Sequence, residues 1–291
     1  FADLKIAVDP EYDPKVTIEE SREYIEKGLS VLGEDYVEMV REAYRGRWID
    51  FAQNQGKSTG GFCASPYGKN SFILLSWNER MSDVFTLAHE LGHAGHFKSC
   101  NSTQSIFDTE VSTYFVEAPS TMNELLMAHY LLKTNQDPRF RRWVLSCMIG
   151  NTYYHNFVTH LMEAAYQREV YRIVDDGGSV NAETLTRLMR ETLQAFWGED
   201  VEISDDAAHT WMRQPHYYMG LYSYTYSAGL TVATQACRRI EKEGACAVED
   251  WKKVLAAGST LDPVGLAKLA GIDITTDAPL LDTIAYIGEI I

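Results

Sequence analysis

The chain has 291 residues, 45% apolar and 23% charged, ordinary globular proportions that allow a substantial core in one large domain or two smaller ones. Its 41 acidic residues against 26 basic ones leave a net charge of −15, which excludes a nucleic-acid partner for want of a basic face. No apolar run reaches the length of a membrane span, so no membrane partner is expected.

Nothing at the N-terminus has the form of a signal peptide. The start at Phe1 and the ending on IGEII in mid-pattern read as a segment of something longer. The five cysteines (Cys63, Cys100, Cys147, Cys237, Cys246) are scattered and lack a CxxC pair. They suit free thiols, each a small buried hydrophobe, in a reducing compartment, here the cytoplasm.

Thr17-Ile18-Glu19-Glu20 reads as a capping box opening a helix that runs to about Gly33. A second amphipathic stretch follows in EDYVEMVREAYRGRW. The texture then changes: GKSTGGFCASPYGKNSFILLSW has glycines, a Pro-Tyr-Gly-Lys-Asn turn and the apolar run Phe72–Leu75, which predict a short hairpin. After Ser82-Asp83 the helical period returns, with helices expected over roughly 83–99, 106–134, 137–174, 181–197, 216–243, 246–257 and 279–291. Breaks are expected at Gly177-Gly178, Gly198, Gly244 and Asp262-Pro263. The expected fold is mainly α, with one small sheet just before a histidine-bearing helix.

That helix contains TLAHELGHAGH, residues 86–96. A helix turns about 100° per residue, so His89 and His93 lie one turn apart on one face and can point two imidazoles at one ion. Glu90 stands beside them, placed to reach a water on that ion. This is the HExxH arrangement of two neutral imidazole ligands and a carboxylate general base. Surface histidines on an ordinary helix are the competing reading. Val84, Leu87, Ala88 and Leu91 weigh against it by burying the other faces, and Gly92 removes a side chain beside His93.

Catalytic zinc takes three protein ligands and leaves a fourth position to water. A histidine ten residues after His89 would complete one known pattern, but that position is Ser99. His96 lies too close to His93 on the same rigid helix to close the shell, and reads as groove-lining or as supporting the ligands. In DTEVSTYFVEAPSTMNELL, Glu110, Glu117 and Glu124 recur every seven residues on one face. A solvated acidic stripe is the alternative, but Val111, Tyr114, Phe115, Val116 and Met122 make this helix apolar on its other sides. A buried carboxylate needs a partner or a metal. Pro119 should kink the helix just after Glu117. Glu117 is therefore the expected third ligand, and Glu124 the carboxylate that orients a ligand imidazole.

HELGHAGH followed by FVEAPSTMNELL resembles the thimet-oligopeptidase superfamily of zinc peptidases, and SFILLSWNERMSDVFTLAHELGH most resembles its bacterial oligoendopeptidase F branch. The likeness extends over most of the chain, from GRWIDFAQNQGKSTGGF to QPHYYMGLYSYTYSAG. The resemblance implies one zinc ion per chain held by His89, His93 and Glu117, with Glu90 as general base. It implies a zincin-type helical catalytic domain over residues 1–291, half of a clamshell around a channel that admits peptides. Full-length members are roughly twice as long, so the N-terminal half that forms the opposite wall is an expected partner.

Zinc-dependent endoproteolysis of short peptides is the function this implies. PHYYMGLYSYTYSAG offers His216 and five tyrosines to the developing oxyanion. The resemblance points to His216 there, with Tyr224 and Tyr226 the tyrosines chosen; an aromatic core stripe is the competing reading of any one tyrosine. The strand from Phe72 and Ile73 is expected to pair with substrate backbone by its edge, and Gly60 and Gly61 to let another backbone approach. The alternative is a zinc-bearing peptide-binding fragment that does not turn over, against which the presence of Glu90 argues. A purely structural zinc would call for four protein ligands.

Overall fold

The computed structural model describes residue 9 and residues 11–57 and 60–291. Two helices, α1 (Ile18–Gly28) and α2 (Glu34–Arg45), lead in. The Thr17 capping box forms as expected, its side chain accepting from the Glu20 amide while the Glu20 carboxylate accepts from the Thr17 amide.

The small sheet has three strands: β1 (Ile49–Asp50), β2 (Phe62–Ala64) and β3 (Phe72–Leu74), in the order β1-β3-β2. β2 and β3 form the expected hairpin, with Cys63 opposite Ile73, while β1 pairs parallel to β3 with Ile49 opposite Ile73. This corrects the reading of Phe72 and Ile73. β3 is the central strand, its backbone donors and acceptors committed to both neighbours, and Ile73 is buried. The strands at the sheet's edges are β1 and β2.

Helices follow: α3 (Met81–Thr103), α4 (Thr113–Thr134), α5 (Pro138–Cys147), a π-helical stretch (Met148–Thr159) and α6 (His160–Asp175). Then come α7 (Ala182–Trp197), α8 (Asp205–Ala208), α9 (Tyr224–Glu243), α10 (Ala245–Ala257), α11 (Pro263–Leu269) and α12 (Ala278–Ile290). Gly198 and Gly244 end α7 and α9 with φ of 65° and 63°, which explains both expected breaks. α11 was not foreseen, and Glu110 lies in the loop before α4, exposed, rather than on the face of Glu117 and Glu124. Of the cysteines, Cys100 and Cys237 are buried, Cys63 and Cys147 only partly, and Cys246 is exposed, so the expectation of buried thiols holds for two. No described helix is long and apolar enough to cross a membrane.

The main core surrounds α4, which packs against α3 on one side and α9 on the other. Two glycines permit this. A Cβ on Gly92 of α3 would stand 2.4 Å from the Pro119 carbonyl oxygen and 2.6 Å from Ser120 Cα. A Cβ on Gly229 of α9 would stand 2.8 Å from the Ala118 amide nitrogen and 3.0 Å from Glu117 Cβ. α4 runs unbroken through Pro119, and Ser120 and Thr121 donate to the Glu117 carbonyl at 2.9 and 2.7 Å. The backbone around Glu117 is thus held between two helices at glycine contacts. A second, smaller core joins α6, α7 and α8 through Met162, Tyr166, Leu188, Met189, Leu193 and Ala207.

Gly92→Ala tests the clamp. Alanine in a helix interior normally gains about 1 kcal/mol over glycine. Here the obstructing atoms are backbone, so overpacking of about 1–3 kcal/mol should reverse the sign. Chemical denaturation should show a lower midpoint and weaker metal retention; a stabilised variant would mean the helices have room to separate.

Candidate metal centre

His89 and His93 stand one turn apart on α3, ring centroids 5.1 Å apart. Glu117 reaches across from α4, its Oε2 lying 3.3 Å from Nε2 of each imidazole. These atoms form a group able to hold a metal ion. The spacing suits an ion. Two ligands about 2.0–2.1 Å from a tetrahedral ion are separated by about 3.3 Å, longer than an N–H···O bond. The residues fit a divalent ion with one carboxylate and two imidazole donors.

Behind the ligands lies a supporting layer. His89 Nδ1 lies 2.6 Å from Glu124 Oε1, a bond that in the neutral ring puts the proton on Nδ1 and turns the Nε2 lone pair toward the ion site. Thr152, on the π-helical stretch, donates to the other Glu124 oxygen at 2.6 Å. Asn123 Nδ2 donates to the Ala88 carbonyl at 3.0 Å, tying α4 to the turn of α3 that carries His89. Ser120 Oγ donates to Glu117 Oε2 at 2.8 Å and Tyr222 Oη to Glu117 Oε1 at 2.7 Å.

Glu117 is fully buried; burial opposes its charge, but the His93 and His89 imidazoles outweigh that and hold its carboxyl well below the usual range. Glu90 differs, because burial raises its carboxyl and the histidines only partly oppose the rise. A carboxylate with raised proton affinity beside a metal site suits a base. Gly61, just before β2, approaches it so closely that a Cβ there would lie 2.9 Å from Glu90 Oε1. Gly60 is farther out, lining with Leu75, Trp77 and Thr86 a polar cavity of about 390 Å³.

The aromatic segment is brought to the same place in a different register from the expected one. Tyr222 touches Glu117, Tyr226 stands edge-on to Tyr222 at 5.4 Å with their hydroxyls interacting, and His216 stacks on Tyr222 at 5.5 Å. Tyr224 instead packs near Tyr114 at 6.0 Å and is exposed. Residues two apart on a helix point about 200° apart, so Tyr224 and Tyr226 at the start of α9 cannot share a face. Tyr222, in the segment just before α9, takes the position expected of Tyr224.

His96 is the other correction. It is 1% exposed, stacks on Phe97, and burial pushes its imidazole down to about 3, so it is a neutral core group rather than a groove residue. Seven residues beyond His89, it sits about 10 Å farther along the helix, under packed neighbours.

The sequence profile of peptidase family M3 matches residues 4–286. The chain belongs to peptidase family M3. Among curated relatives, oligopeptidase PepF of Bacillus subtilis is 32% identical over 266 residues, covering 91% of this chain and 40% of its own length. An oligoendopeptidase F homolog of Borreliella burgdorferi is 29% identical over 272 residues, covering 93% and 46%. The structure of oligoendopeptidase F from Enterococcus faecium superposes with a TM-score of 0.65 at 22% identity over 98% of this chain and 45% of that one, a likeness of fold. The chain thus spans less than half the length of each of these proteins.

Proposed function

We propose that residues 1–291 form the catalytic domain of a zinc-dependent oligoendopeptidase that hydrolyses internal bonds of short peptides in the cytoplasm. The observation that carries this reading is the ion-sized spacing of His89, His93 and Glu117 with Glu90 at its side. When bound, zinc supplies Lewis acidity, polarising the scissile carbonyl and bringing the pKa of water to about 7.

Glu90 takes the proton of the attacking water and returns it to the leaving amine. Tyr226 and His216 are the donors to the negative charge that develops on the carbonyl oxygen, while the Tyr222 hydroxyl, which donates to Glu117, holds that carboxylate in place. An extended substrate adds to the edge strand β2, where Gly61 lets its backbone pass close to Glu90. Main-chain pairing of this kind tolerates many sequences. The segment that completes the length of the relatives is the proposed second wall.

The competing reading, a zinc-bearing peptide binder, draws on the chain's spanning under half of its relatives. One experiment separates the two. The purified chain should contain one equivalent of zinc, chelation should abolish cleavage of a short internally quenched peptide, and added zinc should restore it. Zinc-loaded protein that binds the peptide but leaves it intact, both alone and with the complementing segment, would decide for the binder.

A further inference from the structure

We propose that His160 and Glu163 of α6 are positioning residues: a buried imidazole–carboxylate pair that fixes the ring of Tyr226 and, with Gln167, the loop that carries His216. The effect on rate rests on the hydrolytic reading above; the geometry does not.

His160, Glu163 and Gln167 lie on one face of α6 and are 1%, 7% and 2% exposed. A buried carboxylate must be paired, and Glu163 Oε2 accepts from His160 Nδ1 at 2.7 Å and from Ser223 Oγ at 2.9 Å. A carboxylate only accepts here, so Nδ1 carries the proton and the ring orientation is fixed. On that fixed ring lies Tyr226, stacked at 4.1 Å with an interplanar angle of 11°, while His216 meets it edge-on at 5.8 Å.

Ser223 immediately precedes α9, so Glu163 holds both the platform under Tyr226 and the start of the helix that carries it. Gln167 Nε2 donates to the backbone carbonyls of His216 at 3.1 Å and Gly220 at 2.6 Å. All three side chains of this face are thus spent on residues 216–226, while the apolar side of α6 packs into the smaller core with α7.

The cluster His160, Glu163 and His216 is also compact enough to hold an ion. The spacing argues otherwise. Ligands across zinc stand about 3.3 Å apart, as at His89, His93 and Glu117, whereas 2.7 Å is a hydrogen-bond length. A proton joins His160 to Glu163.

Glu163→Ala should lower kcat on the order of tenfold to a hundredfold, as for a misplaced donor, with KM and zinc content nearly unchanged. Glu163→Gln should recover most of the loss, since one amide oxygen can accept both bonds. Combined with Tyr226→Phe, the two losses should be strongly non-additive, because Glu163 acts through that tyrosine. A merely structural role predicts lower melting temperature with normal kcat below it, and additive effects; either result overturns the proposal.

A second readout needs no catalysis. In the zinc-free protein with ring-labelled tyrosine and histidine, Glu163→Ala should shift the NMR signals of Tyr226 and His216 and abolish the bonded His160 Nδ1 proton. Unchanged signals would sink the positioning role even in an active enzyme, whereas an inactive wild type with shifted signals would sink only the hydrolytic reading. A second bound equivalent of zinc that is lost in Glu163→Ala would replace the pair with an ion site.

Discussion

Glu90→Gln is expected to keep the fold and the metal while lowering kcat on the order of a hundredfold to ten-thousandfold, the span usual for loss of general acid–base catalysis. Glutamine matches glutamate in volume, so the packing beneath Gly61 survives, and Glu90 contributes no atom to the His89, His93 and Glu117 triangle. The amide oxygen, however, cannot take a proton from water at neutral pH. The raised carboxyl of Glu90, driven by burial, places the native group nearer the working pH than a solvent-exposed glutamate, and the substitution removes that match. The measurement is kcat on a short quenched peptide together with zinc content by elemental analysis. Wild-type turnover in Glu90→Gln would remove the residue from the proton path; loss of zinc would mean that it supports the metal.

Glu117→Ala is expected to empty the centre. It removes the only carboxylate among the three ligand atoms and, with it, the charge that favours a divalent cation over two neutral imidazoles. It also leaves the partly buried Tyr222 hydroxyl without its acceptor, whereas Ser120 keeps the Glu117 carbonyl. The fall in zinc affinity should exceed that of Glu124→Ala, where only the support behind His89 is lost and about a tenfold to hundredfold weakening is usual. Competition against a zinc-sensitive chelator gives both affinities. If Glu117→Ala held zinc as tightly as Glu124→Ala, the carboxylate would not be in the ligand set.

The comparison of the two glutamates shows what was legible. Glu117 could be chosen from sequence because apolar neighbours predicted burial, and a buried carboxylate calls for a partner. Glu124 followed by the helical repeat, and the structure places both where the repeat sends them. Glu110 shares that repeat but not the helix, since α4 begins only at Thr113. Periodicity states which positions would share a face if a helix exists, and the loop after α3 decides where it starts.

The tyrosines show another limit. Which hydroxyls reach the metal centre depends on where the 215–223 segment gives way to α9, and a stretch rich in aromatic residues and glycine has no strong period of its own. The sheet was misread for a related reason. β1 has only two residues, too short to alternate, yet its parallel pairing turns β3 from an edge into a central strand. Long-range pairing of a short strand is a tertiary event with no local signature.

By itself the sequence determined the mainly helical class, the caps and breaks, and the metal-ligand pattern. Each of these rests on residues a few positions apart, where chain geometry is rigid and the periods of helix and strand carry the information. Only the tertiary structure decided that Gly92 and Gly229 seat α4 against α3 and α9, that Tyr222 rather than Tyr224 meets Glu117, and that His160 and Glu163 stand behind Tyr226. In the sequence His160 and Glu163 are an ordinary polar pair on an amphipathic helix. Their role arises when α6, held by its smaller core, turns that face toward a segment 49 to 60 residues away, and contact between distant segments is set by the packing of whole helices rather than by local spacing.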